Sequence, residues 1–288
     1  VIHKLLDPVP AGYVVHRVAH TWMVFDRAAA PHLVPLRLAD PAVREKLFEH
    51  APVRGRGAAP TVKIHPGLTA VLRRYRHGGL LGRLTGSLYW GPDRALEELR
   101  VTARAEAAGA PVPHVLCLAV WPVGGPFWSA LIGTREEPGA RDLLGALAHT
   151  AEPRTRRELL RRVGASLRKL HDEGVDHRDL QLRNILVVPG EPEPRIVVVD
   201  LDRAVFHSRG ALPIGRRAEN LGRLNRSGVK NGLWSRTPCA RDAAAFLSGY
   251  TRGSRELRAE LASYLPRERA KLAIRRLRYR LIGTRNQA

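Results

Sequence analysis

Cysteine is almost absent from this 288-residue chain. The two present, Cys117 and Cys239, stand far apart. They fit no metal-ligand spacing and no disulfide framework, so a zinc module and a disulfide-stapled fold are excluded and a reducing compartment is expected. Long apolar runs are missing too, and none approaches the ~20 residues of a membrane-spanning helix. The opening residues VIHKLLDPVPAGY carry no basic start, apolar middle and small-residue cleavage site, which predicts a cytoplasmic protein. Acidic residues are scarce beside basic ones, 27 against 48, for a formal net charge of +21. Such a field favours anionic partners: nucleic acid, an anionic membrane face or a phosphorylated substrate. Arginine far outnumbers lysine, and Ala, Gly and Pro are abundant, so a GC-rich coding sequence contributes to that charge as well.

Apolar residues make up 44% of the chain, ample for a core in one large domain or two medium ones. The most informative stretch is Gly174–Ala204, GVDHRDLQLRNILVVPGEPEPRIVVVDLDRA. Its first half holds His177-Arg178-Asp179-Leu180 and then Asn184. Its second half is an apolar strand, Ile196–Val199, that ends in Asp200-Leu201-Asp202. An H-R-D-L-x-x-x-N loop followed by a strand with an acidic end is the catalytic centre of protein-kinase-like phosphotransferases. The chemistry explains the residue types. Asp179 is the group to accept a proton from an attacking hydroxyl. A carboxamide, Asn184, and a second carboxylate, Asp200, suit Mg²⁺ against nucleotide phosphates.

The chain before this stretch fits a nucleotide-covering unit. Gly12–Phe25 holds strand formers, and Asp40-Pro41 opens a short helix over Ala42–His50. Gly55 and Gly57 lie in a Gly-x-Gly that precedes two strands, Thr61–Ile64 and Thr69–Tyr75. Glycines there let backbone N–H groups approach phosphates, although a plain surface turn reads the same way. Arg73 stands where a phosphate-binding lysine is expected, with Lys63 as its rival; Arg74 points to the opposite face. Arg76–Leu88 reads as a basic lid or substrate-facing loop. A helix is predicted over Pro92–Gly109, and Glu97 or Glu98, with Glu98 preferred, would pair with the strand cation. Strands follow at Val115–Val120 and Ser129–Gly133, and a long amphipathic helix, Arg154–Glu173, leads into the catalytic loop.

The expectation is therefore an α+β, two-lobed protein-kinase-like fold: a mainly β N-lobe with one helix over residues 1–135 and a mainly α C-lobe over residues 136–288. No A-P-E signature follows Asp202, so the platform that protein kinases offer protein substrates is not expected. From Thr251 onward there are eleven basic and three acidic residues. A basic amphipathic helix there suits an anionic membrane surface, or packs its Leu and Tyr on the C-lobe.

Four stretches resemble the lipopolysaccharide core kinases, among them the 3-deoxy-D-manno-octulosonic acid (Kdo) kinases: Val71–Leu84, Ala95–Val115, Gly174–Val187 and Val197–Ala204. The family's arginine-rich strand and loop and its acidic-x-acidic pair both occur here. The resemblance implies an ATP- and Mg²⁺-dependent kinase that phosphorylates the 4-hydroxyl of Kdo on lipid A. It implies Kdo-lipid A as acceptor, a peripheral place on the cytoplasmic face of the inner membrane, and no nucleic-acid partner. Departures lie in the catalytic loop, at Arg178 and Gln181, and at Leu201. The rivals are a heptose kinase of the same core, an atypical protein kinase, and a non-catalytic pseudokinase or basic scaffold.

Overall fold

The computed structural model describes residues 9–49, 51, 53–54, 57–75, 89–207, 210–234 and 239–264. The chain forms two compact units. One is Val1–Gly139 together with Asp200–Arg203, and the other is Ala140–Val199 together with Ala204–Ala288.

The first unit is built on an antiparallel sheet. Its strands are β1 (Tyr13–Val18), β2 (Thr21–Asp26), β5 (Thr61–His65), β6 (Leu68–Arg74), β7 (Tyr89–Trp90), β8 (Val115–Gly124) and β9 (Phe127–Arg135), in the order β1-β2-β8-β9-β6-β5 with β7 also on β9. A separate short hairpin joins β3 (Val53–Arg54) to β4 (Gly57–Ala58). Helices α1 (Ala30–Leu33), α2 (Pro41–Glu49) and α3 (Asp93–Ala107) complete the unit. Asp40 starts α2 by accepting a hydrogen bond from Ala42 N at 2.9 Å, and Pro41 fills the first position, where no N–H is needed.

Both faces of this sheet are covered, which is why β2 and the first half of β8 read as unbroken apolar runs rather than alternating ones. Trp22, Val24, Leu118, Val120 and Ile132 pack with Ala95, Leu96 and Leu99 of α3. Met23, Phe25, Ala119 and Leu131 pack on the other face with Ala30 and Leu33 of α1. The alternation skips once. Leu116 and Cys117 are neighbours in sequence yet belong to the same face, because the β8–β9 register shifts between Val115 and Cys117. Gly133 sits opposite this irregularity, where an added Cβ would lie 2.5 Å from Cys117 Sγ and 2.8 Å from Leu72 Cδ2.

The second unit holds α4 (Leu143–His149), α5 (Pro153–Asp172), α6 (Ile214–Lys230) and α7 (Ala240–Thr251), and residues 255–264 are helical. Its strands are few and short: β10 (Arg141–Asp142), β12 (Ile185–Val188) and β13 (Arg195–Val198) form one sheet, and β11 (Val175–Asp176) pairs with β14 (Val205–Phe206). Helices α5 and α7 cross very closely. An added Cβ on Gly249 would lie 1.8 Å from Arg161 O, and one on Gly164 would lie 2.2 Å from Phe246 O. Glycine is the residue that permits this approach. Among the described residues no helix is long and apolar enough to cross a membrane.

Helices α4, α6 and α7 are not among the elements expected from the sequence. Residues Arg76–Leu88, the loop at Gly55, Thr237-Pro238 and the basic segment beyond Tyr264 lie outside the described residues.

Candidate active site

Strand alternation sets up the first cluster. Leu68, Ala70 and Leu72 of β6 face the α1 side, so Arg73 and Tyr75 face α3. Arg73 Nη2 donates to both oxygens of Glu98, at 2.6 and 2.9 Å. The Tyr75 hydroxyl donates to Glu98 Oε2. Arg73 Nη1 also lies 3.2 Å from Asp200 Oδ1, so one guanidinium joins the helix carboxylate to the start of the 200–203 segment. Glu98 is buried, only 5% exposed. Burial pushes its carboxyl above the usual range, against the opposing pull of Arg73 and the Tyr75 hydroxyl. Burial also works against the Arg73 charge, but Glu98, Tyr75, Asp200 and Asp202 outweigh it and hold the guanidinium more firmly protonated than usual.

The alternatives at this strand are separated. Lys63 is exposed on β5. Arg74 faces the other way and pairs with Glu45 of α2 at 3.0 Å. Glu97 is exposed, 3.7 Å from Arg100. Gly57 is in β4 opposite Arg54, and Gly55 lies outside the described residues.

Asp200 has a left-handed backbone, φ +66°. A residue other than glycine in that region costs about 1–3 kcal/mol and persists where its surroundings enforce it. Asp202, two residues on, pairs with Arg94 in the first turn of α3.

The second cluster is the loop between β11 and β12. Asp176 of β11 is buried and accepts from Asn220 Nδ2 of α6 at 2.8 Å and from Arg178 Nε at 3.2 Å. Arg178 takes φ +54°, and the bond to Asp176 holds that turn. The buried His177 contacts Val199 O through Nε2 at 3.0 Å, which ties the loop to the residue before Asp200. Asp179 Oδ1 accepts from Gln181 Nε2 at 2.7 Å. Asn184 Nδ2 donates to Asp179 O at 3.0 Å, and Val199 N donates to Asn184 O at 2.9 Å. Ser227 of α6 accepts the Leu182 N–H at 3.2 Å. Asp179, Gln181 and Asn184 thus form one hydrogen-bonded group fixed at both ends.

Four residues of these clusters escape sequence reasoning. Tyr75 had a usable signal, since it shares a strand face with Arg73. Arg94 and Asn220 had none, because their partners Asp202 and Asp176 are 108 and 44 positions away. Asp176 lies two residues before Arg178, its local partner, but its bond to Asn220 has no sequence signal.

A model of the "Lipopolysaccharide kinase (Kdo/WaaP) family" matches residues 42–250. The 3-deoxy-D-manno-octulosonic acid kinase of Vibrio cholerae serotype O1 is 30% identical over 200 residues, 68% of this chain and 80% of that enzyme. The enzyme of the same name from Vibrio vulnificus strain YJ016 is 32% identical over 206 residues, again 68% and 80%. Among solved structures, WaaP in complex with acyl carrier protein is similar in fold, with a TM-score of 0.57 at 22% identity. The match covers 83% of this chain and 96% of that one.

Proposed function

The chain belongs to the lipopolysaccharide kinase (Kdo/WaaP) family and has a protein-kinase-like fold, and from that premise we propose that it transfers the γ-phosphate of ATP to the 4-hydroxyl of a Kdo residue on lipid A. The observation that carries the reading is the Arg73 guanidinium, held by both oxygens of Glu98 and reaching Asp200. It is a rigid, permanently charged fork beside an acidic group, the arrangement that binds and orients phosphate oxygens.

In this reading Asp179 receives the proton of the acceptor hydroxyl, an effect of about 10²–10⁴ in rate. Gln181, bonded to Asp179 Oδ1, fixes how that carboxylate is presented. Arg73 orients the α- and β-phosphates, and Gly57, with Gly55 outside the described residues, completes the proposed nucleotide-binding set. Asn184 and Asp200 fit Mg²⁺. Both are hard oxygen donors, and Asp200 Oδ1 is buried without an aligned hydrogen bond. Among the described residues no cluster of three or more His, Cys, Asp or Glu could hold a metal. When bound, Mg²⁺ neutralises phosphate charge. The partners in this reading are Kdo-lipid A and the anionic cytoplasmic face of the inner membrane, where the net charge of +21 favours peripheral attachment. No nucleic-acid partner is proposed.

The test is phosphate transfer to Kdo-lipid A, Kdo-free lipid A, a heptose-bearing acceptor and a generic protein, with NMR locating the product phosphate. Transfer that requires Kdo and places phosphate on its 4-oxygen is expected. Transfer to Kdo-free lipid A, or phosphate on heptose, would contradict the assignment.

A further inference from the structure

The Asp200-Leu201-Asp202 segment offers two carboxylates, and each is ion-paired: Asp200 with Arg73 and Asp202 with Arg94. Asp202 lies on Arg94 in the first turn of α3, with Asp202 15% and Arg94 31% exposed. The Asp202 carboxylate and the burial of Arg94 pull the guanidinium in opposite senses, and the carboxylate prevails. Arg94 also stacks over Tyr89, 5.2 Å from the ring centroid, and Tyr89 meets Tyr75 edge-on at 6.0 Å. Tyr75 donates to Glu98, Glu98 accepts from Arg73, and Arg73 reaches Asp200. The result is a closed ring of contacts that leaves the segment at Asp200 and returns to it at Asp202, with Leu201 buried between them. The left-handed backbone at Asp200 lies within that ring. Such a conformation persists where its surroundings fix it, and two ion pairs flank Leu201 here.

We infer that Asp202 is the carboxylate half of a latch with Arg94, which presents Asp200 for metal binding, and is not itself a ligand. Arg94 and Asp202 are therefore positioning residues. The inference rests on the reading of Asp200 as a Mg²⁺ ligand. A segment held at both ends spends most of its time in the binding arrangement, and the apparent affinity falls in proportion to any lost fraction.

Four proteins test it: wild type, Arg94→Asp, Asp202→Arg and the double exchange. ADP affinity is measured with Mg²⁺ and with EDTA, and thermal unfolding is measured on the same samples. Each single change should weaken Mg²⁺-dependent ADP binding by about tenfold, a factor set by the fraction of segments left in place. Binding in EDTA should hardly move. The exchange should recover Mg²⁺-dependent affinity well above the Asp202→Arg value, because the pair is restored with its charges reversed. A metal-ligating Asp202 gives the opposite: the exchange is no better than Asp202→Arg, which overturns the latch. Additive thermal shifts, with no recovery in the exchange, also overturn it, whatever the nucleotide data show. A wild type with no Mg²⁺-dependent ADP affinity would instead defeat the kinase assignment, a separate and recognisable failure.

Discussion

Asp176 shows how one buried residue can hold the loop between β11 and β12. Burial alone would raise its pKa, yet bonds from Asn220 and Arg178, with the nearby Arg216 charge, bring it below the usual carboxylate range. A carboxyl depressed in the fold adds stability above its unfolded value of about 3.9, and that stability is lost as pH falls through the folded value. Asp176→Asn should therefore cost about 1.5–3 kcal/mol at pH 7, the worth of hydrogen bonds to a charged group. Urea unfolding at several pH values would show the gap from wild type closing below about pH 4. A gap of the same size at pH 3 would refute the charge as its origin. Arg73 and Glu98 are the residues most legible in sequence. Alternation along β6 separates Arg73 from Arg74, but the pairing with Glu98 spans 25 positions and is expected only from the kinase pattern, which leaves Lys63 and Glu97 as alternatives. The Arg94–Asp202 pair is less legible: the acidic-x-acidic pattern marks Asp202, but 108 positions separate it from Arg94, which nothing local marks.

At the scale of elements, β2 and the first half of β8 are legible because unbroken apolar runs mark strands covered on both faces. Helix α6 carries a readable period, with Ile214, Ala218, Leu221 and Leu224 at three- and four-residue spacing, and Ala218 and Leu224 are buried. What the period does not show is the polar part of its buried face, where Arg217, Asn220 and Ser227 bond Leu212 O, Asp176 and the Leu182 N–H. The junction of α5 and α7 is expected to make stability pH-dependent. His171 is fully buried at the end of α5 and bonds the Tyr250 hydroxyl of α7 through Nδ1 at 2.7 Å. Burial, then the Arg217 charge, push it down to about 3. A histidine depressed in the fold contributes stability above its unfolded value of about 6.5, and that stability is lost as pH falls toward the folded value. The unfolding free energy should drop between about pH 6.5 and 4, by up to about 1.4 kcal/mol per pH unit from this group. His171→Gln should flatten that slope in thermal or urea unfolding. An unchanged slope would show that acid sensitivity arises elsewhere.

For the whole molecule, charge and motif point to different degrees of detail. A net charge of +21 calls for an anionic partner without naming it, whereas the order Arg73, Glu98, Asp179, Asn184, Asp200 points to phosphoryl transfer. The family match over residues 42–250 narrows the acceptor class to lipopolysaccharide. The sugar, its hydroxyl and the role of Asp179 as base belong to the proposal. The most direct test is single-turnover transfer from ATP to Kdo-lipid A by wild type and Asp179→Ala, with Mg²⁺-dependent ADP binding measured on both. The account predicts a transfer rate lower by about 10²–10⁴ with nucleotide affinity preserved within about threefold, since Asp179 acts on the acceptor hydroxyl. Transfer by Asp179→Ala at the wild-type rate would contradict it.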